Sequence, residues 1–378
     1  MLQPAPRGPM TTRQRGHRED RRLQPEIPVA VLKAHTAYPD AMVRIAETGR
    51  LVVMHSGARW DAGGGGQRPQ QLAQELAKNA CVVYLNTMNP NRIERPLVNP
   101  AIRQFSEWRD WIRIPASHRL FYTAFPSTAS LEAVNALCPE WTVIYDCIDD
   151  WRHFATGQWY DEGIERAIVQ RADLVICTAR SLVEHIEQLG ARRPPPVHFL
   201  PNSTSIVGQP WNPQGREVDC VFVGWLAESW LDWNLFKAVA EKYTVQLIGQ
   251  QPPAGLPFEH RNAEWVGVVP NSRVMEYLSR AKVGIIPFRD IPLVYAVWPI
   301  KYADYLAAGL PTVASYMPEL DVEPWARVTY TDREFVRQVD RAVAKNWPRH
   351  EIAAEAQKHT GAARVAQLTE WLRDMDLW

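Results

Sequence analysis

The chain has 378 residues, 46% of them apolar, and a formal net charge of zero from 42 basic and 42 acidic side chains. That length favours two domains, each large enough to bury its own core. The charge balance argues against a dedicated nucleic-acid partner, and no run reaches the ~18 apolar residues of a membrane span.

Residues 1–27 carry Arg7, Arg13, Arg15, Arg18, Arg21 and Arg22 among several prolines and lack the apolar core of a signal peptide, which reads as a solvated tail. A helix is expected over 28–47. Leu51 to His55 (LVVMH) is the first strand, followed by the loop Ser56 to Gly66 (SGARWDAGGGG), a helix from Arg68 to Asn79 and the strand Cys81 to Leu85. This is a βαβ unit with a glycine-rich first turn. It is not a dinucleotide fingerprint: Arg68 stands where the third glycine belongs, and the second strand ends at Asn86 rather than an acid. The glycines instead suit close approach of backbone to a ligand or a flexible surface loop.

Between 103 and 123, arginines alternate with Trp108, Trp111, Ile112, Phe121 and Tyr122. That pattern suits either a face resting on a membrane surface or ordinary half-buried structure. Thr142 to Tyr145 is a strong strand running into Asp146, Cys147, Ile148, Asp149 and Asp150. Acids at the end of a buried strand are costly unless used or paired. A helix over 159–170, the strand Ala172 to Cys177, a helix capped by Ser181 and the strand Val197 to Leu200 complete the first domain. Pro210, Pro213 and Gly215 mark a linker.

The pattern then restarts. Val218 to Val223 is a strand ended by Gly224. Asn234 to Glu241 is helical, Tyr243 to Ile248 and Glu264 to Val268 are strands, and a helix over 272–280 leads to the strand VGIIPF (283–288). Trp298 to Ser315 (WPIKYADYLAAGLPTVAS) reads as a helix opened by Pro299 and closed by Gly309 in a left-handed conformation, then a buried strand. In such a sheet the helix N-terminus faces a ligand crevice, and Lys301 there suits a phosphate group. Residues 332–346 and 351–376 are helical. The boundaries expected are a tail (1–27), a first α/β domain (28–205), a second (206–355) and a C-terminal helix (356–378) that can pack back on the first. The five cysteines, Cys81, Cys138, Cys147, Cys177 and Cys220, are scattered and fit reduced thiols better than a disulfide framework or a zinc site.

PIKYADYLAAGLPTVAS resembles the P-x-K-x-x-E-Y-L-A-A-G-x-P-V-V motif of GT-B fold bacterial glycosyltransferases, in the GT4-like and exopolysaccharide-building groups. RPQQLAQELA, YDCIDDW, ADLVICTARSL, FVGWLAESWLDW, NAEWVGVVP and RVMEYLSRAKVGIIPF follow in the family order, so the resemblance covers about residues 50–375. It implies a GT-B architecture: two Rossmann-like α/β domains with a cleft between them. It implies transfer of a sugar from a nucleotide-diphosphate sugar, with a uridine or guanosine base, to a hydroxyl of a surface polysaccharide or glycolipid. It also implies no further cofactor and no bound metal. Pro299, Ile300 and Lys301 would hold the diphosphate, Asp304 the ribose, Gly224 would lie near the phosphates, and backbone around Val266 and Val268 would hold the base; Tyr305 belongs to the same stretch. Asp304 departs from the family's glutamate, and no basic residue follows Gly224.

In the first domain the resemblance points to Asp149 as catalytic base, with His55 as a second candidate and Gly65, Gly66 and Arg68 as an acceptor or phosphate loop. The lean of the motif is towards retention and that of Asp149 towards inversion. The expected setting is cytoplasmic, with a glycan or lipid-linked glycan acceptor and peripheral contact with the inner membrane surface, and no nucleic acid. A sugar-nucleotide epimerase on the same fold, or a non-catalytic sugar-nucleotide-binding subunit, are the alternative readings.

Overall fold

A computed structural model describes residues 39–56, 67–85, 102–105, 108–109, 111–153, 159–204, 206, 217–226, 229–252 and 254–378. The tail, Gly65 and Gly66, Asn86 and the linker prolines lie outside the described residues.

The strands are β1 (Arg50–His55), β2 (Cys81–Leu85), β3 (Ile102–Phe105), β4 (His118–Thr123), β5 (Trp141–Cys147), β6 (Leu174–Cys177), β7 (Val197–Phe199), β8 (Val218–Val223), β9 (Val245–Ile248), β10 (Ala263–Gly267), β11 (Ala281–Ile286), β12 (Thr312–Ala314) and β13 (Ala326–Val328). The α-helices around the first sheet are α1 (Pro39–Thr48), α2 (Arg68–Leu76), α3 (Thr128–Ala136), α4 (Glu162–Arg171) and α5 (Arg180–Gln188). Those that follow are α6 (Trp233–Ala240), α7 (Asn271–Leu278), α8 (Pro292–Tyr295), α9 (Ile300–Ala307), α10 (Pro318–Asp321), α11 (Asp332–Ala344), α12 (Arg349–Glu355) and α13 (Gly361–Asp374).

All pairings between these strands are parallel, in a seven-stranded sheet ordered β3-β2-β1-β4-β5-β6-β7 and a six-stranded sheet ordered β10-β9-β8-β11-β12-β13. Parallel sheets need helical crossovers on both faces, so their central strands are buried on both sides and read as unbroken apolar runs. β2 and β6 are buried at every position. In each sheet the order in which strands are added reverses once, between β1 and β4 and between β8 and β11. Ligands of open parallel sheets bind at the strand C-termini beside such reversals.

The two sheets have separate cores. One is built on Val221, Phe222, Phe236, Ile285, Trp298, Tyr302 and Tyr305. The other is divided over the two faces of the first sheet, with Val52, Met54, Tyr84 and Tyr122 on one and Val53, Phe121, Trp111 and Trp141 on the other. α13 packs against α2, and its Leu368 and Leu372 join the first sheet's core.

The aromatics Trp108, Trp111, Phe121 and Tyr122 face inward. They are buried, so burying apolar area in the domain accounts for the pattern without a membrane. Among the described residues no helix is long and apolar enough to cross a membrane. α5 starts one residue before the predicted cap: Ala179 occupies the cap position and Ser181 lies within the first turn.

Candidate functional site

In the second sheet the reversal point lies beside the first turn of α9, which carries Ile300 and Lys301. Pro299 caps α9 with no side-chain hydrogen bond, and Gly309 ends the following turn at φ 66°. From the first turn, Lys301 reaches back over the strand ends. Its Nζ lies 5.3 Å from the Phe222 ring centroid at the end of β8 and 4.8 Å from that of Phe288 just past β11. A Cβ on Gly224 would sit 3.2 Å from Lys301 Cε, and Gly224 has φ 151°. A side chain there would be strained and would push the lysine away.

Gly249, at the end of β9, is fixed more tightly still. A Cβ there would lie 1.7 Å from the Gly224 carbonyl oxygen, and φ is 139°. The Gly224 N–H donates to Ile248 O, and the Gly249 N–H to Gly267 O. The ends of β8, β9 and β10 are thus laced into a backbone ledge. Trp225, 58% exposed, and Trp265, 41% exposed, stand on it with Val268. Trp265 Nε1 donates to Gly249 O at 2.9 Å, which fixes the indole and leaves a ring surface open. Val266 is half-buried. Gly249, Trp225 and Trp265 were not singled out from sequence. An exposed tryptophan at a strand end was the available signal.

Tyr305 and Asp304 face elsewhere. Tyr305 is fully buried, and its hydroxyl donates to Val221 O and Ile285 O and accepts from Val223 N. Its ring fills the space left by Gly284, where a Cβ would lie 2.3 Å from the ring. This tyrosine joins β8 to β11 and touches no open surface, which corrects its expected place in the donor site. The Asp304 carboxyl is buried and accepts from Thr204 Oγ1 at 2.6 Å. Burial pushes its pKa up to about 7, against the opposing pull of the Thr204 hydrogen bond and of Lys301. Its bonded oxygen serves the segment joining the two sheets rather than the cleft, contrary to its expected ribose role.

In the first domain His55 ends β1 as expected but is fully buried. Its Nδ1 lies 3.1 Å from Ser130 Oγ and 3.5 Å from Thr123 Oγ1, and burial lowers its pKa to about 4. A closed, weakly basic imidazole is a poor proton acceptor, so the geometry gives His55 a packing role. Asp149 is half-buried in the turn after β5. The partner considered for it, Arg152, belongs to Asp150 instead, through Nε at 2.8 Å and Nη2 at 2.7 Å. Burial opposes ionisation of Asp150, but that bidentate pair wins and holds its pKa below the usual value. Behind the turn, buried Glu165 accepts from the hydroxyls of Tyr145 at 2.6 Å and Tyr160 at 2.7 Å and lies 3.0 Å from His185 Nε2. This network braces the end of β5 and the start of α4.

Arg68 is not at a phosphate surface. It is buried, with Nε on Asp146 Oδ2 at 2.7 Å and Nη1 on Pro201 O at 3.1 Å. Burial works against its charge, but Asp146 beside it raises its pKa above the ordinary value. Tyr122 donates to the same Asp146 oxygen at 2.5 Å. Asp146 was read only as one of several acids; it anchors this group.

The sheets are joined through residues 201–204. Pro201 O and Ser203 Oγ bond to α2, through Arg68 and Gln71. Asn202 Nδ2 donates to Trp298 O at 2.7 Å, and Thr204 Oγ1 to Asp304. A second contact joins α10 to α5: Glu319 accepts from the Arg180 N–H at 2.7 Å and the Ser181 N–H at 3.3 Å, and pairs with Arg180 Nη1 at 3.0 Å.

Comparison with known proteins agrees with this architecture. Residues 204–370 match the family described as glycosyl transferase-like. A putative teichuronic acid biosynthesis glycosyltransferase of Bacillus subtilis, TuaH, is 27% identical over 227 residues, covering 53% of this chain and 55% of that protein. Sucrose-phosphate synthase from Thermosynechococcus elongatus superposes with a TM-score of 0.67 at 15% identity, over 86% of this chain and 98% of that one. HepE of Anabaena, in complex with UDP, superposes with a TM-score of 0.63 at 12% identity, over 86% and 100% of the two chains. The fold is therefore GT-B, two Rossmann-like α/β domains, and the resemblance to GT-B bacterial glycosyltransferases is borne out. More particularly, the second domain carries the glycosyl transferase-like family pattern.

Proposed function

We propose that the protein is a glycosyltransferase that moves a sugar from a nucleotide-diphosphate sugar to a hydroxyl of a polysaccharide or glycolipid acceptor. The observation that carries this reading is Lys301, held over Phe222 and Phe288 against Gly224 in the first turn of α9, at the reversal of the second sheet. A cation and a helix N-terminus beside a side-chain-free strand end suit a diphosphate. The ledge of Gly224, Gly249 and Trp265 suits the base, with the open indole surface available for stacking. The UDP complex of HepE and the polysaccharide pathway named for the Bacillus relative support the same donor and acceptor classes.

In the reaction, the acceptor oxygen attacks the anomeric carbon and the bond from that carbon to the diphosphate oxygen breaks. The acceptor proton passes to a base, and the diphosphate leaves with the bonding pair. Lys301 and the α9 N-terminus stabilise the charge that grows on the diphosphate. Asp149, half-buried at the strand end of the opposite domain, is the base in this proposal. Pro299 and Ile300 supply the helix start, and Val266 and Val268 line the ledge edge. The proposed setting is the cytoplasmic side, where such donors are used, with glycan or lipid-linked acceptors.

Calorimetric titration of the full chain with UDP, GDP and their sugars tests the donor half. Binding of one nucleotide, weakened in Lys301→Ala, is expected. Undiminished affinity in that variant would break the assignment. Release of free nucleoside diphosphate with an acceptor, at a rate set by Asp149, tests the other half.

A further inference from the structure

Three tyrosines continue the rim of the second sheet beyond Lys301, towards β13. Tyr295 ends α8 after β11, Tyr316 follows β12 and Tyr330 follows β13. They come from three separate connections, yet their rings meet in sequence. Tyr295 and Tyr316 have centroids 5.5 Å apart at 68°, and Tyr316 and Tyr330 5.3 Å apart at 35°. The outer two are braced at their tips: Tyr295 donates to Asp290, and Tyr330 to Asp321 at 3.2 Å. Tyr330 is nevertheless 62% exposed, and Val322 beside Asp321 is also exposed. A large aromatic left in water at this extent buries little of its area, so folding alone gives it slight reason to be ordered. The row is also continuous with the cleft. Asp290, which holds Tyr295, lies two residues past Phe288, the ring under Lys301.

We infer that Tyr295, Tyr316 and Tyr330, with Asp290 and Asp321, form a binding subsite for neutral pyranose rings of a glycan, on the second domain at the β12–β13 side of the cleft. A pyranose presents a face of C–H bonds that packs on an aromatic ring, and its rim of hydroxyls donates to carboxylates. Rings in a row at intervals of the order of one sugar match consecutive residues of a chain. The braced side chains have lost their rotamer freedom before binding, which favours affinity. Two carboxylates beside the rings repel uronic or phosphorylated sugars, so the site selects uncharged residues. This assigns a place where an acceptor chain extends away from the reacting hydroxyl, and it rests on the transfer reading for that placement.

The test is saturation-transfer NMR on the full chain with maltohexaose, cellohexaose and an oligogalacturonate as probes. Transfer to the ring C–H protons of a neutral hexasaccharide is expected, with little to the charged oligomer. In the double variant Tyr316→Ala, Tyr330→Ala the affinity should fall about tenfold. Tyr330→Phe keeps the ring and should keep most of the signal, which separates ring stacking from loss of fold. Nucleotide titration of the same double variant should match the wild type, because Lys301 is untouched. Absence of binding by both neutral probes, or equal binding by wild type and double variant, overturns the subsite. So does a wild-type dimer in sedimentation that the double variant abolishes, since the row would then be a contact between copies. Failure of nucleotide binding with glycan binding intact would count against the transfer reading and leave the subsite standing.

Discussion

Lys301 and Asp304 lie one turn apart on α9 and have different neighbours. Lys301 stands over two phenylalanine rings beside Gly224; Asp304 is closed in against Thr204. In the proposed reaction, replacing Lys301 by Ala removes charge from the leaving-group side, and kcat should fall on the order of 10²- to 10³-fold, as when one preorganised oxyanion donor is lost. Steady-state kinetics with the donor found by titration checks this, with unchanged melting showing that the fold is intact. Asp304 makes a different prediction, about pH. Its folded pKa of about 7 exceeds the ordinary 3.8 because burial disfavours the anion. The folded state therefore holds a proton that the unfolded state has released, and this contribution is complete below the unfolded pKa. It is lost as pH rises through about 7. In Asp304→Asn the Thr204 bond can persist and no proton is lost. Its melting temperature relative to wild type should rise between about pH 5 and about pH 8; parallel curves would show that Asp304 does not titrate in this window.

The contact between α10 and α5 shows what an element can draw from outside its own segment. The first two N–H groups of α5 have no local acceptor, since Ala179 occupies the cap position. Glu319, from the other domain, accepts both and brings a negative charge to the helix N-terminus. Glu319→Ala should cost about 1–2 kcal/mol in denaturant unfolding and speed hydrogen exchange at the Arg180 and Ser181 amides. Glu319→Gln keeps the acceptor and should lose less. This is also where local sequence reading stops. The strands Val52–Met54, Cys81–Leu85 and Val221–Val223 are legible because buried parallel strands are apolar runs, and the turn at Gly309 because a left-handed φ favours glycine. Ser181 misled because the true cap lies on another domain. α3 was missed since its buried side is only Ser130, Ala133 and Val134, too small a stripe to stand out. β13 has three residues, and its place in the sheet follows from pairing with β12. Among the candidate site residues, the place of Lys301 in the first turn of its helix was legible from sequence. The orientation of Asp304, Tyr305 and Arg68 was not, because which neighbour a side chain meets depends on the packing of distant segments.

At the scale of the molecule, the two sheets are coupled through residues 201–204, whose bonds alternate between α2 of the first domain and the start or body of α9 in the second. The return crossing adds to it, with Thr204 N–H donating to His359 O and the His359 ring stacked on Trp298 at 5.1 Å. A shift of α9 against the first domain would therefore disturb Arg68, and through Arg68 the Asp146 group beneath the ends of β4 and β5. Closing of the cleft would be transmitted along this path, because buried hydrogen-bond groups have few alternative arrangements. A double-mutant cycle at its centre tests whether the path is energetically real. Thr204→Val removes the donor and leaves the Asp304 carboxyl buried without it, at an expected cost of about 1–3 kcal/mol. Combined with Asp304→Leu, which removes the acceptor as well, the cost should be less than the sum of the two single variants by at least about 0.5 kcal/mol. Strict additivity would mean the two groups are neighbours without a shared bond. If the cycle shows coupling, Thr204→Val alone should lower turnover while leaving nucleotide affinity near that of the wild type, because the bond it breaks ties the domains together and leaves Lys301 and its neighbours in place.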